Sequence, residues 1–456
     1  MTSKGTLLKS KLMFGKTDVI SLEARLPTLM KSIRLREGVF MYLGSVLGSG
    51  ILVAPAIAAN LAGPASLVAW VLVSFLSYPI GYTFGKLAAS YPDAGGVSAF
   101  VKRGFGWSIG TVAGWLFVTS FFVGAPVVAL VASSYILIAL GLSPWLVYPV
   151  AFAFLSVTIL TNTLGIRIGS RTESVILGTV LVLLSAAVIM TLPHVQLSNF
   201  TPFAPKGLYP VGTVAVVIFW SFQGYENVPH MAEEFRNPDR DFQLCIILSA
   251  AVTGLLYVLT SFATIGTGIY LNESLYAPVA IMFSRSLGVS SVVIVLFLAI
   301  TTCYGTLNAY SIGVSRLVYA LARDKSLPSA LFKLNRHAAP SRAILVLFGG
   351  SAISLIIDAL VNARLDQLFL LSGAGFITLY ILGSAAAAKL LRGRSKGLEN
   401  AFPYISLVAS LIVFIFVREY VLFPVVVTML SFFWIWMKKQ EVNNGSSSEN
   451  DPSLAR

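Results

Sequence analysis

The chain has 456 residues, of which 56% are apolar and only 11% charged, and it carries a formal net charge of +13. Globular chains hold about 25% charged residues, so this composition, with a mean hydropathy of +0.83, excludes an ordinary water-soluble domain. Cys245 and Cys303 both lie in apolar runs, and His194, His230 and His337 are far apart, so no disulfide framework, metal or cofactor is expected.

Residues 1–32 are polar and basic, and no short apolar stretch with a cleavage site precedes the first long one, so no removable signal is expected. Gly15-Lys16-Thr17 has the look of a P-loop end, but Ser10 stands where the first glycine belongs. Twelve apolar spans follow, over 38–61, 66–89, 109–140, 144–163, 173–192, 210–230, 243–270, 289–321, 343–361, 366–389, 402–417 and 420–437. A transmembrane helix needs about 20 apolar residues to cross about 30 Å of hydrocarbon, which these runs supply or approach.

The first span is interrupted by Gly44-Ser45-Val46-Leu47-Gly48-Ser49-Gly50-Ile51. Glycine costs about 1 kcal/mol of helix propensity relative to alanine, so the helix is expected to open around Ser49. Broken helices at membrane depth are the usual device by which secondary transporters bind solutes. The competing reading is that these glycines only let a neighbouring helix pack closely.

Neighbouring spans run antiparallel, so each charge belongs to one side. With the N-terminus inside, the external loops hold only Lys206, Arg285, Arg364 and Arg418, and the other 28 of 32 Lys and Arg residues face inward. The positive-inside rule therefore gives N-in, C-in topology in a plasma or inner membrane. Anionic membrane lipid accounts for the basic balance, and no nucleic-acid partner is expected. The tails, 1–32 and 438–456, are too short to be enzyme domains.

The sixth span carries a second interruption, Phe219-Trp220-Ser221-Phe222-Gln223-Gly224-Tyr225-Glu226-Asn227-Val228-Pro229-His230. Pro229 removes a helical hydrogen bond. Glu226 is a carboxylate at membrane depth, a functional candidate by default. Interrupted helices at matching places in two halves point to a transport site, which strengthens the functional reading of both breaks.

Four motifs now carry a family resemblance. They are Gly44 to Ile51 with Pro55; Tyr91-Pro92-Asp93-Ala94-Gly95-Gly96 with Phe105-Gly106; Phe219 to Glu226 with Glu233-Glu234 and Asn237-Pro238; and Asn308-Ala309 with Ser315-Arg316, Tyr319-Ala320 and Ala322-Arg323-Asp324. In this order they make the chain similar to permeases of the amino acid–polyamine–organocation (APC) superfamily, across nearly its whole length.

The resemblance implies an all-α membrane protein of 12 transmembrane helices with the LeuT-type five-plus-five inverted repeat. Its first half would be 33–192, its second 193–396, and two more helices would fill 397–437. It also implies that main-chain N–H groups of Ser49, Gly50 and Ile51 hold a substrate carboxylate, with Val46 beside them and Gly48 giving clearance. Carbonyls of Phe219, Trp220, Ser221 and Phe222 would take the substrate ammonium, and Trp220 would close over it. A partial positive charge at a half-helix N-terminus agrees with that role. For Trp220 a plain packing role between helices stays open.

The middles of spans one, three, six, eight and ten hold no Lys or Arg and one carboxylate, Glu226. That lining suits a neutral, apolar amino acid, and the third span looks most like the exporters of neutral and hydrophobic amino acids. The alternatives are a cationic amino acid or polyamine exchanger, with Trp220 giving cation–π contact, and a non-transporting sensor on the same fold. Proton-coupled relatives often carry a lysine in the fifth helix. Ser174 to Leu184 has none, which leaves Glu226 as the coupling candidate. Its structural alternative is a carboxylate paired with a tyrosine or a helix end. Sodium held near Thr301 or Thr302, and exchange without an ion, both stay open. Glu233, Glu234, Arg236, Asp239, Arg240 and Asp241 are either a solvated loop or an inner gate pairing with Lys102, Arg103, Arg323 or Lys325. Nothing in the sequence fixes an oligomeric state.

Overall fold

In hydrocarbon the backbone finds no water to bond, so long apolar runs satisfy their N–H and C=O groups internally, as helices. The computed structural model describes residues 33–164, 170–271, 277–287, 291–337, 339–393 and 397–448. Among them the regular structure is helical, apart from an isolated bridge between Ile33 and Phe235. The expected tail 1–32 lies outside the described residues.

The α-helices in chain order begin with α1 (Leu35–Val46), α2 (Gly50–Ala62), α3 (Ser66–Ser90), α4 (Gly96–Phe105) and α5 (Trp107–Leu140). Next come α6 (Val147–Thr161), α7 (Ser170–Thr191), α8 (Tyr209–Ser221), α9 (Pro238–Gly266) and α10 (Pro278–Leu287). The last are α11 (Ser291–Arg323), α12 (Ser341–Val361), α13 (Leu365–Leu390), α14 (Phe402–Ile415) and α15 (Leu422–Ser448). Helix α15 runs past the boundary expected at 437.

Among the described residues, 10 helical stretches are long and apolar enough to cross a bilayer. The first of them, Leu35–Ser90, takes in α1, α2 and α3, and α8 is a shorter apolar helix. Outward-facing side chains are apolar too: Val157, Leu360 and Ile415 are 61%, 80% and 73% exposed. Such a surface belongs in lipid, and the chain is a multi-pass membrane protein.

Inside, α5 packs against α11 and α13, α9 against α3 and α1, and α8 against α2 and α13. The span expected over 210–230 is α-helical only to Ser221. Residues 222–227 form turns, and a 3-10 helix, Val228–Glu234, follows. Pro229 therefore stands in the first turn of a helix, where its missing N–H costs little, rather than inside one. The break is wider than a proline kink.

Candidate functional site

The Gly-Ser-Gly sequence ends one helix and starts another. After Val46, Leu47 N–H donates to Leu43 O at 2.7 Å and Gly48 N–H to Val46 O at 2.9 Å. The N–H groups of Ser49 and Gly50 make no hydrogen bond among the described residues, so they stand as open donors at the start of α2. Ile51, expected as a third free donor, instead bonds Gly48 O at 3.3 Å. The Ser49 side chain is fully buried, and its hydroxyl has no partner among the described residues.

At the second break Phe222 N–H donates back to Ile218 O and Phe219 O, each at 3.1 Å, and Gln223 N–H donates to Trp220 O at 3.2 Å. Of the four expected carbonyl acceptors, Phe222 O alone takes no hydrogen bond among the described residues. Gly224 holds φ at +134°, and a Cβ there would sit 2.8 Å from the Ser45 carbonyl carbon. Only glycine fits so near the end of α1.

The two breaks touch each other. A Cβ on Gly50 would lie 2.8 Å from both Cβ and Oγ of Ser221, and one on Gly48 would lie 3.0 Å from Thr306 Cγ2. Tyr257, on α9, places its hydroxyl 3.1 Å from Val46 O and 2.9 Å from Ser221 O. Its ring stacks on Trp70 at 5.0 Å and tilts against Phe222 at 4.9 Å. One hydroxyl proton thus serves the carbonyl ends of both broken helices.

Beside this junction lies a cavity. The first break gives it Ser45, Val46, Gly48 and Gly50; the second gives Trp220, Ser221 and Gln223. Phe121, Gly124, Ala125 and Val128 of α5 form another wall, and Thr306, Leu307 and Tyr310 of α11 with Phe376 of α13 complete it. Its interior admits the centre of a water-sized sphere over about 40 Å³, room for a few waters. An amino acid the size of leucine enters only if the lining moves apart.

Five of the expected site residues, Val46, Gly48, Gly50, Trp220 and Ser221, share this cavity, whereas Ser49, Ile51, Phe219 and Phe222 are not among its lining residues. Trp220 also meets Phe369 edge to face at 4.2 Å. Sequence reasoning did not single out Thr306, Tyr310, Phe376 or Tyr257. They lie in long uninterrupted helices, where nothing marks the inward face.

Glu226 is completely buried just behind the cavity. Its Oε1 accepts from the Tyr310 hydroxyl at 2.8 Å, and its Oε2 accepts from Gly224 N–H at 2.8 Å and from the Tyr380 hydroxyl. Three donors offset much of the cost of burying a carboxylate. Tyr310 lines the cavity as well, so it links Glu226 to the cavity wall. Of the sodium candidates, Thr301 bonds its own helix at Phe297 O, while the Thr302 hydroxyl is buried without a partner among the described residues.

The charged end of the bundle shows these pairs among the described residues. Lys102 meets Asp324 at 2.5 Å, Arg323 meets Asp93 at 3.4 Å, and Arg103 lies over the Tyr91 ring at 5.1 Å. In the 233–241 segment the side chains of Glu233, Glu234 and Asp239 lie outside the described residues. His230, in the 3-10 helix Val228–Glu234, reaches the loop before α4, with Nδ1 2.9 Å from Ala94 O.

Comparison with known proteins decides the family. The sequence profile described as amino acid permease matches residues 35–440. The chain belongs to the amino acid permease family. It is 35% identical to the uncharacterized amino acid permease YecA of Bacillus subtilis over 416 residues, covering 91% of this chain and 97% of that one. It is 30% identical to the L-methionine/branched-chain amino acid exporter YjeH of Escherichia coli over 375 residues, covering 81% and 88%. It is 25% identical to the branched-chain amino acid permease BcaP of Bacillus subtilis over 425 residues, covering 88% of each. This permease is thus an APC-superfamily transporter of amino acids and not an enzyme, and its two breaks and the cavity between them lie within the matched region.

Proposed function

We propose that the permease is a secondary active transporter that moves neutral, apolar amino acids by alternating access. The observation that carries this reading is the cavity where two broken helices meet, with Gly50 in its wall and the open N–H groups of Gly50 and its neighbour Ser49 at the start of α2. Those donors, at the positive end of α2, suit the substrate carboxylate. Phe222 O and neighbouring carbonyls at the negative end of α8 suit its ammonium. The side chain then points among Phe121, Ala125, Val128 and Phe376, which reward apolar contact and offer no charge. Relatives named for methionine and branched-chain amino acids lie in the same direction.

In this reading the chain crosses the membrane twelve times. The stretch Leu35–Ser90 counts as two crossings, and α8 with its following turns is the one that falls short of a continuous span. The first ten crossings form the LeuT-type inverted repeat, and both termini face the cytoplasm. The small cavity is one stage of the cycle, and entry of substrate requires α8 and α13 to separate from α5 and α11. Glu226, linked to the cavity through Tyr310, is the coupling group.

A thermal-unfolding panel on the purified protein tests the substrate class, because a ligand that binds the folded state raises its melting temperature by mass action. Leucine and methionine at millimolar concentration raise it by several degrees, while arginine and spermidine leave it unchanged. Stabilisation by the cations alone would replace this reading with a cationic exchanger.

A further inference from the structure

A second cavity lies where α13 gives way to α14, at the far end of α13 from the breaks. From Phe376 to Leu390 that helix rises about 21 Å. Measured in the same way this cavity has about 230 Å³, several times the central one. Tyr82 of α3 and the end of α13 wall it, together with Arg392, Glu399 and Tyr404.

The carboxylate in that wall is held in place. Tyr82 donates to Glu399 Oε2 at 2.5 Å. Phe402, the first residue of α14, packs edge-on against Tyr82 at 5.0 Å and Tyr78 at 5.5 Å. Arg392 opens on the same cavity, yet no ion pair joins it to Glu399 among the described residues. Two opposite charges that share a cavity without pairing are complementary to a zwitterion. The carboxylate accepts hydrogen bonds from an ammonium, and the guanidinium fork matches a phosphate or carboxylate.

The surroundings favour one source of that zwitterion. Tyr404 opens a stripe of exposed apolar side chains along α14, in which Val408, Leu411 and Ile415 are 54%, 45% and 73% exposed. Their spacing puts them on one face. Leu398, in the turn before α14, is 71% exposed. The stripe runs from the cavity mouth down the lipid-facing surface, where an acyl chain would lie. A free amino acid has no use for it. Tyrosines at the end of a span also mark the headgroup level.

We infer that this cavity binds the headgroup of an aminophospholipid, with its ammonium on Glu399, its phosphate on Arg392 and its chains along the α14 stripe.

The test is native mass spectrometry of the full-length protein, exposed to phosphatidylethanolamine and phosphatidylglycerol of matched chains. Wild type retains the ethanolamine lipid several-fold more than the glycerol lipid. Glu399→Gln, which keeps an acceptor for Tyr82, abolishes the preference, and Arg392→Gln lowers retention of both lipids. Each variant's melting temperature without lipid checks that it folds, and since the two changes are independent, either one that folds suffices. Equal retention of the two lipids by wild type would overturn the inference, as would a preference that survives Glu399→Gln. Displacement of the lipid by millimolar leucine would give the cavity to free amino acids and equally overturn it.

Discussion

Glu226 accepts hydrogen bonds from three elements at once: its own turn through Gly224, α11 through Tyr310 and α13 through Tyr380. Removing the carboxylate outright would strand three donors at about 1–3 kcal/mol for each buried group, so Glu226→Ala is expected to misfold. Glu226→Gln keeps an acceptor oxygen, and its amide can donate to a tyrosine oxygen, so the fold survives while the charge is gone. If protonation of Glu226 biases the cycle, the variant exchanges substrate for substrate at near wild-type rates but loses the pH dependence of net flux. Flux measured in proteoliposomes between about pH 4 and 8, a range that includes the ordinary carboxylate value, checks this. An unchanged pH profile would restrict Glu226 to a structural role. A proton can shift such an equilibrium only through its different affinity for the two states.

Among single residues, legibility followed chemistry. Glu226 stood out because a carboxylate at membrane depth has few innocent explanations, and the Gly-Ser-Gly run stood out because glycine weakens helices. Tyr257 did not stand out, because a tyrosine in an apolar span is ordinary until its hydroxyl is seen between Val46 O and Ser221 O. Ile51 N–H closes a turn on Gly48 O instead of standing free, and such a turn cannot be read from composition.

At the scale of elements, the ends of α4 and α11 are joined by charges that must part if this face opens. Lys102 and Asp324 are 40% and 36% exposed, so their pair is worth about 0–1 kcal/mol. That is weak enough to break in each cycle. Asp324→Asn is expected to shift the population toward the state in which these ends separate. Ser326, 2% exposed and hydrogen-bonded to Thr111 at 2.9 Å, reports on it. In a Ser326→Cys background a membrane-permeant maleimide labels the Asp324→Asn variant up to about fivefold faster, the factor that 1 kcal/mol allows. Equal labelling rates would show that the pair does not hold this end shut. The sequence marked Lys102 and Arg323 as gate candidates but did not point to Asp324 and Asp93 as their partners. Pairing across 222 and 230 residues depends on how helices lie side by side, which charge patterning does not encode.

For the whole molecule, the helical membrane class was legible from hydropathy alone, because bilayer thickness sets the length of each run. Both helix breaks were legible as well, in place if not in extent: the second runs from Phe222 to Asn227 and ends in a 3-10 helix that no proline rule foretells. The walls given by α5, α11 and α13 were legible only as an overall lack of charge. The cavity at the α13–α14 junction had no sequence signal, since Tyr82 and Glu399 lie 317 positions apart.

The central claim, that the junction of the two breaks carries neutral amino acids across the membrane, is tested most directly by counterflow. Proteoliposomes loaded with unlabelled leucine are diluted into labelled leucine, and uptake is followed with time. The account expects a transient accumulation of label above the equilibrium level. It also expects none with Gly50→Leu at equal protein abundance, because that side chain fills the space next to Ser221 and the open N–H groups. Wild-type vesicles that show no overshoot with leucine or methionine, or a Gly50→Leu variant that matches wild type, would contradict it.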